Sequence, residues 1–171
     1  DLLWPHRWSL ATYDVIINNA TVDAYNLNLI SGSELTGNYF TVGVLCHEFF
    51  HSLGAPDLYH YVESAAPTAV GGWDLMEETE ETPQYMSAWM KYRYANWIDC
   101  DLIENGGVYS LNPLQQKENS CYIIESPNSE SQFFVLEYRK QEGLYEINLP
   151  GNNNGLLIYR INLDINRNNI I

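Results

Sequence analysis

Residues 46–57, CHEFFHSLGAPD, constrain the fold more than any other stretch of this chain. Phe49, Phe50 and Leu53 make the segment strongly apolar, and His47 and His51 stand four residues apart. On a helix that spacing is about 40° of rotation and one turn of rise, so both rings lie on one face. The spacing therefore predicts a helix from about Thr41 to Leu53, partly buried, with Thr41 as its N-cap. Gly54 supplies the left-handed residue that ends it, and Pro56 stiffens the chain as it turns away.

Two imidazoles one turn apart can reach one metal ion, and buried histidines need partners. Glu48, beside the first histidine, can take a proton from water on such a metal and pass it to a leaving amine. The metal polarises a carbonyl and lowers the pKa of its water, which gives the spacing H-E-x-x-H on a helix a mechanical reason. Gly54 and Asp57 follow His51 at three and six residues, and a bend at Gly54 brings Asp57 back as a third ligand. Two histidines and one carboxylate leave a position open for water, as catalytic zinc requires. His60 ranks second as third ligand, and Glu77 or Glu78 third. Cys46 points about 100° away from His47 and is expected to be a bystander.

The chain has 171 residues, a formal charge of −14 from 8 basic and 22 acidic residues, and 46% hydrophobic residues. That composition suits a globular domain. The charge argues against nucleic acid and anionic membranes, and favours a soluble acidic surface or cationic partners. No apolar run approaches the roughly 20 residues of a membrane span. There is no signal peptide and no initiator Met, so the chain reads as an excised mature segment. Of Cys46, Cys100 and Cys121, the latter two are able to pair, but the plainer expectation is three free, mostly buried thiols.

Elsewhere, DVIINNATVDAYNLNLI reads as one or two strands around an Asn-Asn turn, and SGSELTGN as a loop. Residues 55–81 read as a long irregular loop, with the acidic run 77–81 favoured as solvated over lining a cleft for basic substrates or binding calcium. TPQYMSAWMKYRYANW predicts a second helix, capped at Thr82 with Pro83 in its first turn; its Met and Trp stripe is core. GGVYSL, SCYIIES, FFVLEYR and GLLIYRINL predict an antiparallel β region. The expected class is α+β.

HEFFHSLGAPD resembles the extended H-E-x-x-H-x-x-G-x-x-D signature of metzincin zinc proteases. WPHRWSL, GAPDLYH, GGWDLM and the β-rich residues 133–161 resemble the immune inhibitor A family of bacterial secreted metalloendopeptidases. The resemblance implies zinc on His47, His51 and Asp57, with Glu48 as general base and acid. Met76 in WDLM would be the apolar floor beneath the metal, and a peptide or protein the substrate. It implies a secreted, periplasmic or cell-surface location. Residues 1–101 would be a metzincin-like catalytic domain: an active-site helix, a C-terminal helix and a partial upper sheet. Part of its N-terminal subdomain is expected to be absent, because only 46 residues precede His47. Residues 102–171 would be a truncated β-rich region. The strand in ATVDAYNLNLI could pair with peptide by strand addition. Relatives usually carry aspartate at the position of His60 and small residues after Met76. Glu78 stands where some metzincins place a transition-state tyrosine, so no tyrosine is assigned there. The alternative function is a binding protein on a protease scaffold that has lost catalysis.

Overall fold

The computed structural model describes residues 4–10, 12–28, 41–61, 68–152 and 154–164. The SGSELTGN loop lies outside them. Strand β1 (His6–Ser9) pairs antiparallel with β4 (Ala24–Leu27). Between them β2 (Val15–Ile17) and β3 (Ala20–Val22) form the expected Asn-Asn hairpin. Asn18 and Asn19 have φ of 52° and 62°. A two-residue hairpin turn with positive φ at both centres matches the twist of its strands, and Asn tolerates that conformation.

Helix α1 (Val42–Phe50) starts where predicted: the Thr41 hydroxyl accepts a hydrogen bond from the Val44 N–H at 3.1 Å. Its last turn tightens into a 3₁₀ turn at His51–Leu53, and Gly54 follows with φ 92°. Gly43 lies so close to the Glu80 carbonyl that a Cβ there would overlap it. Phe50 packs with Ala55, Leu75, Met76, Met86 and Met90 in one buried cluster. By contrast, Val42, Leu45, Phe49 and Leu53 on α1 and its extension are exposed.

The second helix is much shorter than predicted. Only α2 (Ala88–Met90) is regular, and it widens into a π-type turn at Lys91–Ala95 before Asn96, at φ 53°, ends it. Neither the Thr82 cap nor a first turn at Pro83 forms. The cause is competition for backbone donors. The N–H groups of Tyr85, Ser87, Ala88 and Trp89 donate to Glu146 (3.0 Å), Asp74 (2.7 Å), Glu137 (2.5 Å) and Tyr159 (3.0 Å). These partners hold residues 85–87 outside the helix and satisfy the donors that a helix start leaves open.

The remaining chain builds a four-stranded sheet in the order β5 (Asp101–Leu102), β6 (Cys121–Glu125), β7 (Gln132–Arg139), β8 (Gly155–Asn162). The three long strands are antiparallel, as expected, whereas the short β5 joins β6 in parallel. GGVYSL forms no strand; Val108 is fully exposed. Alternation on β7 turns Val135, Glu137 and Arg139 inward. Val135 shares a buried cluster with Ala88, Ile98, Leu114 and Cys121, so helix and sheet have a common core. The expectation of three free, mostly buried thiols fails: Cys100 and Cys121 form a disulfide, and Cys46 is free and exposed. The architecture is α+β, and no helix among the described residues is long and apolar enough to cross a membrane.

Candidate metal centre

The end of α1 and the bend after it bring three ligand atoms together. His47 sits on the buried side of the helix, 6% exposed, and His51 opens the 3₁₀ turn. The left-handed Gly54 reverses the chain, and Asp57 returns to both rings. Among the described residues, His47, His51 and Asp57 form the one group of three His, Cys, Asp or Glu side chains whose ligand atoms converge, all within 4.8 Å of one another. His60, Glu77, Glu78 and Cys46 are not members of it.

The hydrogen bonds settle the tautomers. His47 Nδ1 lies 2.9 Å from the Leu75 carbonyl oxygen, and His51 Nδ1 lies 2.7 Å from that of Ala55. A carbonyl oxygen only accepts, so each Nδ1 carries a proton and donates it. The two Nε2 atoms then face Asp57 Oδ1 at 3.0 and 3.1 Å. In neutral imidazoles these are lone pairs directed at a carboxylate, an arrangement that calls for a proton or a cation between them. Four-coordinate zinc, with bonds of about 2.0–2.2 Å, sets neighbouring ligand atoms about 3.3–3.6 Å apart. The two spacings to Asp57 Oδ1 fall short of that by only a few tenths of an ångström. The donor set, two imidazole nitrogens and one carboxylate oxygen, with each second ring nitrogen on a backbone carbonyl, fits such an ion.

The electrostatics follow the same geometry. Burial alone would raise the Asp57 pKa, but the adjoining His47 and His51 rings and the Tyr61 phenol hold it well below the usual carboxylate range. Burial opposes a charge on His51, yet Asp57 and the Ala55 carbonyl outweigh it and push its pKa up. Glu48, 7% exposed, has its pKa raised by burial, while the nearby His47 and His51 pull it down. His6 on β1 also acts electrostatically on Glu48, and β1 packs against α1.

Residues 74–77 connect to both the helix and the loop of the site. Met76 is fully buried in the cluster with Phe50 and Ala55. Its carbonyl accepts from the Leu58 N–H at 2.9 Å, tying the ligand loop to the turn whose Leu75 orients His47. Asp74 braces that turn: its two oxygens accept from the N–H groups of Met76 and Ser87, each at 2.7 Å. Residues 78–81 of the acidic run are exposed, as a solvated run would be, but Glu77 departs from that reading. It is buried, and its carboxylate accepts from the N–H groups of Ala69, Val70 and Gly71 at 3.1, 2.5 and 2.7 Å. Glu78 is exposed.

Sequence reasoning missed two tyrosines. Tyr59 stacks on His47 with ring centroids 6.3 Å apart and planes 21° apart. Burial, and then the Asp57 charge, push its pKa well above the usual value. Tyr61 donates its phenol proton to Asp57 Oδ2 at 2.6 Å. The only signal in the sequence was their place two and four residues beyond Asp57, on a turn that could bring them back over it.

Comparison with known proteins adds a family. No curated protein and no solved structure gives a significant match to the chain. The family model described as immune inhibitor A peptidase M6, catalytic domain, matches residues 1–96, which include His47, His51 and Asp57. The chain therefore belongs to the immune inhibitor A peptidases, a family of metallopeptidases.

Proposed function

We propose that this chain is a zinc-dependent endopeptidase, with His47, His51 and Asp57 as the metal ligands and Glu48 as general base and acid. The observation that carries the reading is the convergence of His47 Nε2, His51 Nε2 and Asp57 Oδ1 while both Nδ1 atoms are held by carbonyls. Bound there, zinc would polarise a scissile carbonyl and make water a nucleophile near neutral pH. Glu48 would take the proton of the attacking water and return it to the leaving amine. Met76 would act through packing, as an apolar base that keeps the ligand loop from sinking. The Cys100–Cys121 disulfide suits an oxidising, extracytoplasmic setting, which supports a secreted or cell-surface location.

Metal analysis with a casein or gelatin assay tests this reading. The expected result is one zinc per chain and proteolysis that chelation abolishes. Glu48→Gln should keep the metal and lose activity by about 10²- to 10⁴-fold. Failure to bind zinc at micromolar concentration would sink the proposal. Peptides with blocked termini should be cleaved, which separates endopeptidase from exopeptidase action. The exposed Val42, Leu45, Phe49 and Leu53 favour a second reading, a binding protein on a scaffold without catalysis. Zinc binding with no turnover across a broad peptide library would select it.

A further inference from the structure

Asp57 has two oxygens and only one of them faces the histidines. Oδ1 lies at 3.0 and 3.1 Å from the two Nε2 atoms. Oδ2 takes the phenol proton of Tyr61 at 2.6 Å, a short bond of the charge-assisted kind. Tyr61 is 66% exposed and lies four residues along the chain from Asp57. Its ring meets Tyr59 edge to face, with centroids 5.5 Å apart, and Tyr59 in turn stacks on His47. The tyrosine pair thus links one metal-ligand candidate to another through rings and one hydrogen bond. A carboxylate with both oxygens free can swing, or bind a metal through both; one with an oxygen held must break that bond to swing, and it gives a metal that oxygen less readily while one of its lone pairs is taken.

We propose that Tyr61 is a positioning residue for the metal centre: its phenol holds Asp57 Oδ2, so that Asp57 offers the ion Oδ1 alone. The proposal rests on the assignment of His47, His51 and Asp57 as zinc ligands. Tyr61 does for the carboxylate what the carbonyls of Leu75 and Ala55 do for the imidazoles. All three ligands then have their second polar atom fixed by the protein, and the fourth position on the metal stays open.

The test compares wild type, Tyr61→Phe and His47→Ala as full chains. Zinc affinity is read by competition with a chromophoric chelator, and the coordination number by the visible spectrum of the cobalt-substituted protein. Tyr61→Phe keeps the ring and removes only the donor. It should weaken zinc binding about 10- to 100-fold, the usual effect of losing a partner behind a metal ligand. Its cobalt bands should weaken as Asp57 gains a second bond to the metal. Thermal melting of the metal-free Tyr61→Phe protein should match wild type, because the side chain is exposed. A Tyr61→Phe protein with wild-type zinc affinity and cobalt spectrum, alongside a His47→Ala protein that has lost zinc, overturns the role of Tyr61 and leaves the ligand set standing. Wild type binding zinc no better than His47→Ala overturns both.

Discussion

Two clusters of polar side chains among the described residues are built on opposite principles. Around Arg139 every charge has its complement within the protein. The guanidinium donates to Glu146 at 2.7 and 2.8 Å, to Glu137 at 3.0 Å and to the Trp73 carbonyl at 2.6 Å. Arg139, Glu137 and Glu146 are all fully buried. Around Asp57 the donors are spent on backbone carbonyls, and acceptor atoms are left facing one another. The first cluster is complete as folded, whereas the second asks for a proton or a cation between its acceptors. Family membership alone would not have separated a structural knot of charges from a site; the direction of each hydrogen bond does.

The contrast predicts where added metal acts. Zinc at about a thousandfold excess over its Kd should stabilise the wild-type protein by about 4 kcal/mol. His51→Ala should show no such gain and no proteolytic activity. The comparison breaks if zinc raises the melting temperature of His51→Ala as much as that of wild type, because the ion would then be sitting elsewhere.

Arg139→Met attacks the other cluster. It leaves Glu137 and Glu146 buried without their counter-charge, and should cost about 3–5 kcal/mol of stability. The fraction that stays folded should still bind one zinc. Urea unfolding and metal analysis of the same sample check both halves. Loss of zinc from folded protein would mean that the clusters are mechanically coupled through residues 73–76.

Lys91 sharpens the contrast by its pH dependence. Its ammonium is buried over the Tyr85 ring, 3.8 Å from the centroid. Burial, then repulsion from Arg139, lower its pKa to about 8, against the pull of Glu146, Glu137 and Asp74. Between about pH 8 and the unfolded value of about 10.4 the native state holds fewer protons than the unfolded chain. Stability should therefore rise with pH across that window, by about 3 kcal/mol if the whole shift is expressed. Tyr85 and Tyr159 have raised pKa values and oppose the trend only above about pH 10, where unfolded tyrosine ionises. In Lys91→Met the rise between pH 8 and 10 should vanish. An unchanged slope in urea unfolding would mean that Lys91 does not titrate there.

The two clusters also differ in how much of each the sequence discloses. The candidate metal centre is made by residues 47–57, within one helix, one cap and one bend. Helical spacing, the Thr41 hydroxyl and the conformational needs of Gly54 act locally, so they can be read from a string. The hairpin over Asn18 and Asn19 was legible for the same reason. The Arg139 cluster joins β7 to Trp73, Tyr85 and Glu146, and nothing near any of them announces the others. The helix expected over residues 82–97 failed on the same account. Acceptors 49 to 70 residues downstream, on Glu137, Glu146 and Tyr159, take its early N–H groups. The Cys100–Cys121 bond and the burial of Glu77 are further long-range or loop-closing facts that spacing does not carry. Tyr61 lies between the extremes: it is near in sequence, but its role depends on which way a turn faces.

The smallest expected effect concerns the bend itself. Gly54 holds φ 92°, and nothing lies within 4 Å of where its Cβ would be. A methyl group there would meet no neighbour, so the cost of Gly54→Ala is backbone strain alone, about 1–2 kcal/mol. The end of α2 offers an internal standard, because Asn96 fills the equivalent left-handed position at φ 53° with a side chain in place. Gly54→Asn should accordingly lose less than Gly54→Ala, since Asn is the side chain that best tolerates that region. Urea unfolding of the metal-free proteins gives the ranking glycine, asparagine, alanine. Zinc affinity should follow the same ranking, because the residue that ends the 3₁₀ turn after α1 also aims Asp57. Equal zinc affinity in all three proteins would show that the loop returns Asp57 without help from the helix end, through the Leu58 to Met76 bond instead.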